Sequence, residues 1–435
     1  MTIISRIPFQ PFTPKTKPDS KFVFTSAGLS FFRVGVPKNR ELYRLLWVDD
    51  SGEMGWIKRL GSGWFVGCCS EKDRTVEIET VDGGEDVFDA AAAAAAEPMA
   101  KPDHLVIMVN GLIGSSEDWK YAAEQFVMQF PHKVIVHRSE CNSSTLTFDG
   151  VDRMGERLAE EVIDVIRRWH GVRKISFVAH SLGGLVARYA IGRLYELSAK
   201  TGSTKFPGYG SHEEINLSSQ HRNQIGGLEP MNFITFATPH LGSRWHKQLP
   251  FLCGLPFLEK SASQTAHWIA GRSGKHLFLT DQDDGRPPLL LRMVNDSDDI
   301  HFMSALRSFK RRVAYANANY DHVVGWRTSS IRRQDELPKS NHLVSDTKYP
   351  HIIYVEQRMT ENEPSKASSA IGTQVIDLEE EMIRGLNQVS WERIDVSFHK
   401  SRQRYVAHNT IQVKSYWLNS DGADVVQHMI DCFLL

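Results

Sequence analysis

The stretch VAHSLGGLVARY, residues 178–189, places one serine between a histidine and two glycines, at the junction of two differently patterned apolar runs. Before it, KISFVAH (174–180) reads as a buried strand; after it, Leu185, Val186, Tyr189 and Leu194 recur at helical spacing. A chain that passes from strand to helix across Ser181 must make a strained turn, and Gly183 and Gly184 let the two elements approach without side-chain clashes. Such a turn lifts the serine hydroxyl to the carboxyl ends of the strands, where open α/β sheets bind ligands. It also aims the first backbone N–H groups of the helix at the same point, ready for developing negative charge.

The same alternation extends outward from this turn. HLVIMVN (104–110) reads as a buried strand, followed by Trp119, Phe126, Val127 and Phe130 at helical spacing, with Ser115 and Asp118 as a capping-box start. KVIVHRS (133–139) is a second strand, and Met154, Leu158, Val162, Ile166 and Trp169 stripe a helix that Gly171 can end. NFITFATPH (232–240), RRVAYAN (311–317) and ERIDVSF (392–398) supply further strands, and Asp424–Leu435 forms a closing amphipathic helix. Strand and helix alternating at this spacing predict a mostly parallel, doubly wound sheet covered on both faces. Insertions are expected near 199–230, 245–290 and 332–390, where the periodicity lapses.

The chain has 435 residues, enough for one large domain with added segments. Lys and Arg total 51 against 52 Asp and Glu, so no bulk charge favours nucleic acid as a partner. Five cysteines do not form a disulfide framework, no secretory apolar region follows Met1, and no apolar run reaches the length of a membrane span. A soluble or peripherally membrane-associated protein of a reducing intracellular compartment, cytoplasm or plastid, is expected. Residues 1–40 carry seven Lys or Arg and a single acid, Asp19, which suits a transit peptide or a basic tail. Residues 41–100 read as a small β-rich element, with TVEIETVDG (75–83) alternating, and an alanine linker at 90–96. GSGWFVG (61–67) has neither the spacing nor the following helix of a dinucleotide loop.

Taken together, HLVIMVNGLIGSSEDW, FDGVDRMGERLAEEV, FVAHSLGGLVARYAIGRL and FITFATPHLGS resemble the DUF676 putative serine esterase (lipase-like) family of α/β-hydrolases, with residues 101–435 as the hydrolase domain. Two positions depart from its usual pattern: Ala179 replaces the first glycine of GxSxG, and Asn110-Gly111 stands where His-Gly is common. The resemblance implies a Ser, Asp, His order along the chain, with Ser181 as nucleophile. It places the acid at Asp321, in the loop after RRVAYAN, while Asp298 and Asp299 read as caps for FMSALRSF. It favours His408 as the base, in the loop before the closing helix. His428 shares a polar helix face with Asp424 and Asp431 and reads as solvated, and His399 is a third candidate. The N–H groups of Leu112 and Leu182 would form an oxyanion hole. His240 and Asn110 are candidates for the pocket rim, His240 equally for a structural hydrogen bond to its loop.

No metal-ligand cluster or phosphate loop is present in the sequence, and no cofactor is expected. The expected reaction is hydrolysis of carboxylic esters of lipids or small molecules. The apolar, proline-broken stretch Leu249–Ala270 reads either as a helical cap or acyl groove over the sheet, or as ordinary packing of an insertion. A catalytically weak scaffold that binds a lipid or protein, and a thioesterase or acyltransferase with the same triad, are the competing readings.

Overall fold

The computed structural model describes residues 32–33, 44–48, 54–60, 63–67, 76–81, 84–89, 101–201, 223–243, 271–282, 285–356 and 377–435. The basic segment before residue 32, the alanine run, the 202–222 part of the first insertion and the proposed cap at 244–270 lie outside them. The chain divides into two compact units, Met1–Asp73 and Arg74–Leu435. In the first, strands β1 (Phe32–Arg33), β2 (Arg44–Val48), β3 (Met54–Leu60) and β4 (Gly63–Gly67) form an antiparallel sheet in chain order. GSGWFVG therefore supplies a strand.

The second unit is built on a nine-stranded sheet. Its strands are β5 (Val76–Val81), β6 (Gly84–Asp89), β7 (His104–Val109), β8 (Val134–Ser139), β9 (Lys174–His180), β10 (Glu229–Phe236), β11 (Arg311–Asn317), β12 (Ile352–Glu356) and β13 (Glu392–Val396). Their spatial order is β12-β13-β11-β10-β9-β7-β8-β6-β5. The six central strands from β13 to β8 are parallel; β6 and β5 extend one edge antiparallel and β12 the other. TVEIETVDG thus belongs to the large sheet, and the unit boundary falls at residue 73, well before Lys101. This is the α/β-hydrolase architecture.

Alternation within each strand fills two cores. Leu105, Ile107 and Val109 of β7, with Ile175, Phe177 and Ala179 of β9, meet helices α2 (Val151–Arg168) and α3 (Leu182–Thr201). Val106, Met108 and Val178 point the other way, against α1 (Lys120–Gln129) and the C-terminal helix Ala423–Asp431. Each fully buried aliphatic side chain of this kind contributes about 1.5–3 kcal/mol. Gly155 of α2 lets that helix approach α3 closely, since a Cβ there would sit 2.4 Å from the Tyr189 ring. The chain leaves β7 toward one helical layer and β9 toward the other, so a crevice opens between the carboxyl ends of these adjacent strands.

Three local expectations change. Ser115 makes no side-chain cap, and Asp118 is turned to an ion pair with Lys414 at 3.0 Å. The helix Phe302–Ser308 is capped by Asp296, whose carboxylate accepts the N–H groups of Met303 and Ser304; Asp298 and Asp299 take no part. The 332–390 insertion also contributes ordered structure, the edge strand β12 and the helix Leu378–Leu386, whose Asp377 cap accepts from Glu379 N–H.

Candidate active site

Ser181 occupies the crevice with φ of +53°, the left-handed conformation that a non-glycine residue adopts only under strain. The strain is held by neighbours: Ser181 N–H donates to Phe236 O at 2.8 Å, and Gly184 N–H donates back to Ser181 O at 3.1 Å. Glycine is required at both positions that follow Leu182. A Cβ on Gly183 would lie 2.4 Å from Asn110 O, and one on Gly184 2.2 Å from Thr238 Oγ1.

The His408 ring spans the gap between hydroxyl and carboxylate. Its Nε2 lies 3.0 Å from Ser181 Oγ and its Nδ1 3.0 Å from Asp321 Oδ2. An ionised carboxylate only accepts, so Nδ1 carries the proton and bare Nε2 accepts from the serine O–H. Asp321 is buried, which pushes its carboxyl pKa up, but His408, the Val324 N–H and Asn317 outweigh that and hold it below the ordinary value. Its Oδ1 accepts from Val323 N–H at 2.9 Å and Val324 N–H at 2.8 Å, while Asn317 Nδ2 donates to Oδ2 at 2.9 Å. A pocket of about 350 Å³ adjoins Asp321 between Asn319, His322 and Arg327, but neither Ser181 nor His408 lines it, so it is not the reaction cavity.

The loop after β7 lies against the serine. A Cβ on Gly111 would be 2.9 Å from Ser181 Cβ, so only glycine brings this backbone so close. The turn is closed by Gly114 N–H donating to Gly111 O, and Ile113 N–H donates to Thr147 Oγ1. Among the described residues no acceptor engages the N–H of Leu112, and Leu182, as the first residue of α3, has none within its helix. A hydroxyl, imidazole and carboxylate in line, beside two uncommitted backbone donors, can pass a proton and stabilise an oxyanion.

Asn110 and His240 do not line a rim. Asn110 turns inward and donates from Nδ2 to Asn142 O at 3.0 Å and Gly111 O at 3.1 Å, bracing the loop. His240 is fully buried, near Thr235 Oγ1 at 3.1 Å and edge-on to Trp391; burial, then Arg188, keep it well below its ordinary pKa. His428 is engaged by Tyr315 and Tyr349 and is 8% exposed, where a solvated residue was expected. Tyr315 from β11 meets its Nδ1 at 2.8 Å, and Tyr349 from the 332–390 insertion stacks edge-on against its ring. That insertion covers the helix face that looks open in sequence. His399 is exposed and packs beside Tyr320.

Two supports had no assigned role in sequence. His180, inside the quoted turn, lies with Nε2 2.7 Å from His408 O. Asn317, a polar residue ending an apolar strand, donates to Asp321 and to Ala407 O. The signal was a polar side chain at the carboxyl end of a central strand.

Comparison with known proteins gives a consistent picture. The family described as "Putative serine esterase (DUF676)" matches residues 99–331, more than half of the chain. "Putative lipase ROG1" of Saccharomyces cerevisiae is 32% identical over 53% of this chain and 29% of its own length. "Putative lipase C4A8.10" of Schizosaccharomyces pombe is 29% identical over 53% of this chain and 26% of its own. The chain therefore spans less than a third of the length of these curated relatives. Among solved structures, the mature Bacillus licheniformis lipase BlEst2 aligns over 52% of this chain and 69% of that one, with 18% identity and a TM-score of 0.29. At that score the fold assignment rests on the strand order above. Among the described residues no helix is long and apolar enough to cross a membrane. Matched over that span and carrying the family's strand–serine–helix turn, the chain belongs to the putative serine esterase (DUF676) family.

Proposed function

We propose that the protein is a carboxylic-ester hydrolase that works through an acyl-enzyme on Ser181. The observation that carries this reading is the pair of 3.0 Å contacts from one imidazole, His408, to Ser181 Oγ and Asp321 Oδ2. Both lie within the reach needed for proton transfer. Ser181 Oγ attacks the ester carbonyl carbon as its proton passes to His408 Nε2. Asp321, ionised, holds the ring in its productive tautomer and stabilises the imidazolium. The tetrahedral oxyanion accepts from the N–H groups of Leu112 and Leu182, each such donor being worth about 10²–10³ in rate. His408 then protonates the leaving alcohol, giving the acyl-serine, and deprotonates the water that releases the acid.

Acyl lipids are the favoured substrate class. The loop beside the serine carries the exposed Ile113, and the segment hydrogen-bonded to it through Thr147 carries the exposed Leu146, apolar groups that suit an acyl chain. The lipase names of the yeast relatives point the same way. The test is fluorophosphonate labelling together with hydrolysis of a chain-length series of esters. Labelling and turnover that disappear in Ser181→Ala and His408→Ala are expected, with preference rising toward longer acyl chains. Equal labelling of wild type and Ser181→Ala would remove the proposal.

A further inference from the structure

The chain on either side of His408 carries a set of exposed side chains that the reaction does not use. Tyr405 is 65% exposed and Val406 is also open to solvent immediately before it; after it come Tyr416, Trp417 and Leu418, the last two each 69% exposed. Large apolar groups left open in series are unusual on a protein surface and mark a contact. The two stretches form one flap. Gln403 Nε2 donates to Ser420 Oγ and Asp421 N–H donates back to Gln403 Oε1, while Ser401 Oγ donates to Asp421 at 2.5 Å. Tyr416 stacks on Tyr121, and Tyr320 meets Tyr405 edge-on, so the aromatic groups are seated in fixed positions.

The charge on this flap has one sign. From Val396 to Ser420 there is no Asp or Glu, against Lys400, Arg402, Arg404 and Lys414. Lys400 and Arg402 are exposed; Arg404 lies over the Tyr405 and Tyr320 rings, and Lys414 pairs with Asp118. The acids packed nearby are engaged: Asp421 by Ser401, and Glu117 beside Lys120 and Arg138. Exposed Tyr and Trp with aliphatic neighbours, flanked by Lys400 and Arg402, which no acid among the described residues engages, match the boundary between anionic headgroups and acyl chains.

We propose that the Lys400–Leu418 flap docks the protein on an anionic lipid surface, with Trp417, Leu418 and Tyr405 entering the interface and Lys400 and Arg402 meeting the headgroups. Because the flap carries His408, docking brings the serine to the membrane side of the molecule. This location rests on the hydrolase reading only for its purpose, since binding needs no turnover.

The test is sedimentation of the full chain with vesicles of phosphatidylcholine alone and with added phosphatidylserine. Binding to the anionic vesicles, weakened by salt, is expected. Trp417→Ser with Leu418→Ser should reduce it by about tenfold or more, and Lys400→Glu with Arg402→Glu should abolish the preference for anionic lipid. Hydrolysis of a soluble short-chain ester should persist in both variants, which reports that they fold. Ser181→Ala should bind vesicles as wild type does while hydrolysing nothing, so loss of the hydrolase reading is read separately. Absence of wild-type vesicle binding, equal binding by the Trp417→Ser/Leu418→Ser protein, or a wild-type dimer that this double substitution dissolves would each overturn the proposal.

Discussion

The His180 imidazole donates its Nε2–H to the carbonyl oxygen of His408 at 2.7 Å, so the residue preceding Ser181 holds the backbone of the residue that faces it. Burial, and then the neighbouring His408, keep His180 well below its ordinary pKa, so it is neutral and its Nε2 proton is permanent in the working range. Replacing His180 with Phe keeps a ring but strands that carbonyl, at a cost of about 1–3 kcal/mol. We expect kcat to fall roughly 10–100-fold with KM little changed, and His180→Gln, which restores a donor, to recover part of the loss. Steady-state kinetics on a soluble ester check this.

Asp321→Asn keeps an amide oxygen that can accept from Val323 and Val324, but its NH2 opposes Asn317 Nδ2, which must turn away. Its NH2 would then face His408 Nδ1 and favour the wrong tautomer. A fall in kcat of about 10⁴, with a stability loss of about 1–3 kcal/mol from the Asn317 bond, is the expected outcome. Kinetics paired with thermal unfolding would expose the alternative, in which the carboxylate merely shapes its loop and activity survives.

Gly183→Ala puts a methyl 2.4 Å from Asn110 O, a backbone atom that cannot step aside without moving the loop that carries Leu112. Activity should drop by about 10² or more, with a stability loss of about 1–3 kcal/mol. Gly171→Ala, which meets nothing within 4 Å, is the matched control and should be silent in both measurements.

A buried charged cluster links β6, β8 and α2. His137 Nδ1 lies 2.5 Å from Asp86 and its Nε2 3.3 Å from Glu161. Burial lowers the imidazole pKa, but the two carboxylates prevail and raise it to about 9. With the folded value above the unfolded 6.5, the stabilisation is complete below pH 6.5 and disappears as pH climbs through 9. Its full size is about 3 kcal/mol. The melting temperature should therefore decline between pH 6.5 and 9.5 or so. His137→Gln should start lower and lose that alkaline slope. A slope unchanged in the variant would assign the dependence elsewhere.

Glu161 extends this cluster toward the site, since it also accepts the N–H groups of Glu140 and Cys141, next to the Asn142 that holds Asn110. None of this was legible in sequence, where His137 and Glu161 are single polar residues 24 positions apart. What could be read was whatever obeys a period or a turn rule: the central strands, α1 to α3, and a serine followed by two glycines. Ser181, Asp321 and His408 were found by chain order along a resembled fold, and their meeting place follows from which strands end side by side. The burial of His240 and His428 escaped because it depends on what packs over a face from a distant segment: Trp391 in one case, Tyr349 in the other. Likewise β12 is short, and its alternation is lost within a polar insertion.

His408 lies 227 residues beyond Ser181 and outside residues 99–331, the span shared with the family. The imidazole is delivered by the last quarter of the sequence, after β13 has joined the sheet. A chain ending early would keep its elbow and its carboxylate yet lack the imidazole that the proposed mechanism requires. Under the proposed mechanism, covalent capture of Ser181 by a phosphonate would count molecules whose carboxyl-terminal quarter has docked, a census of completed folding.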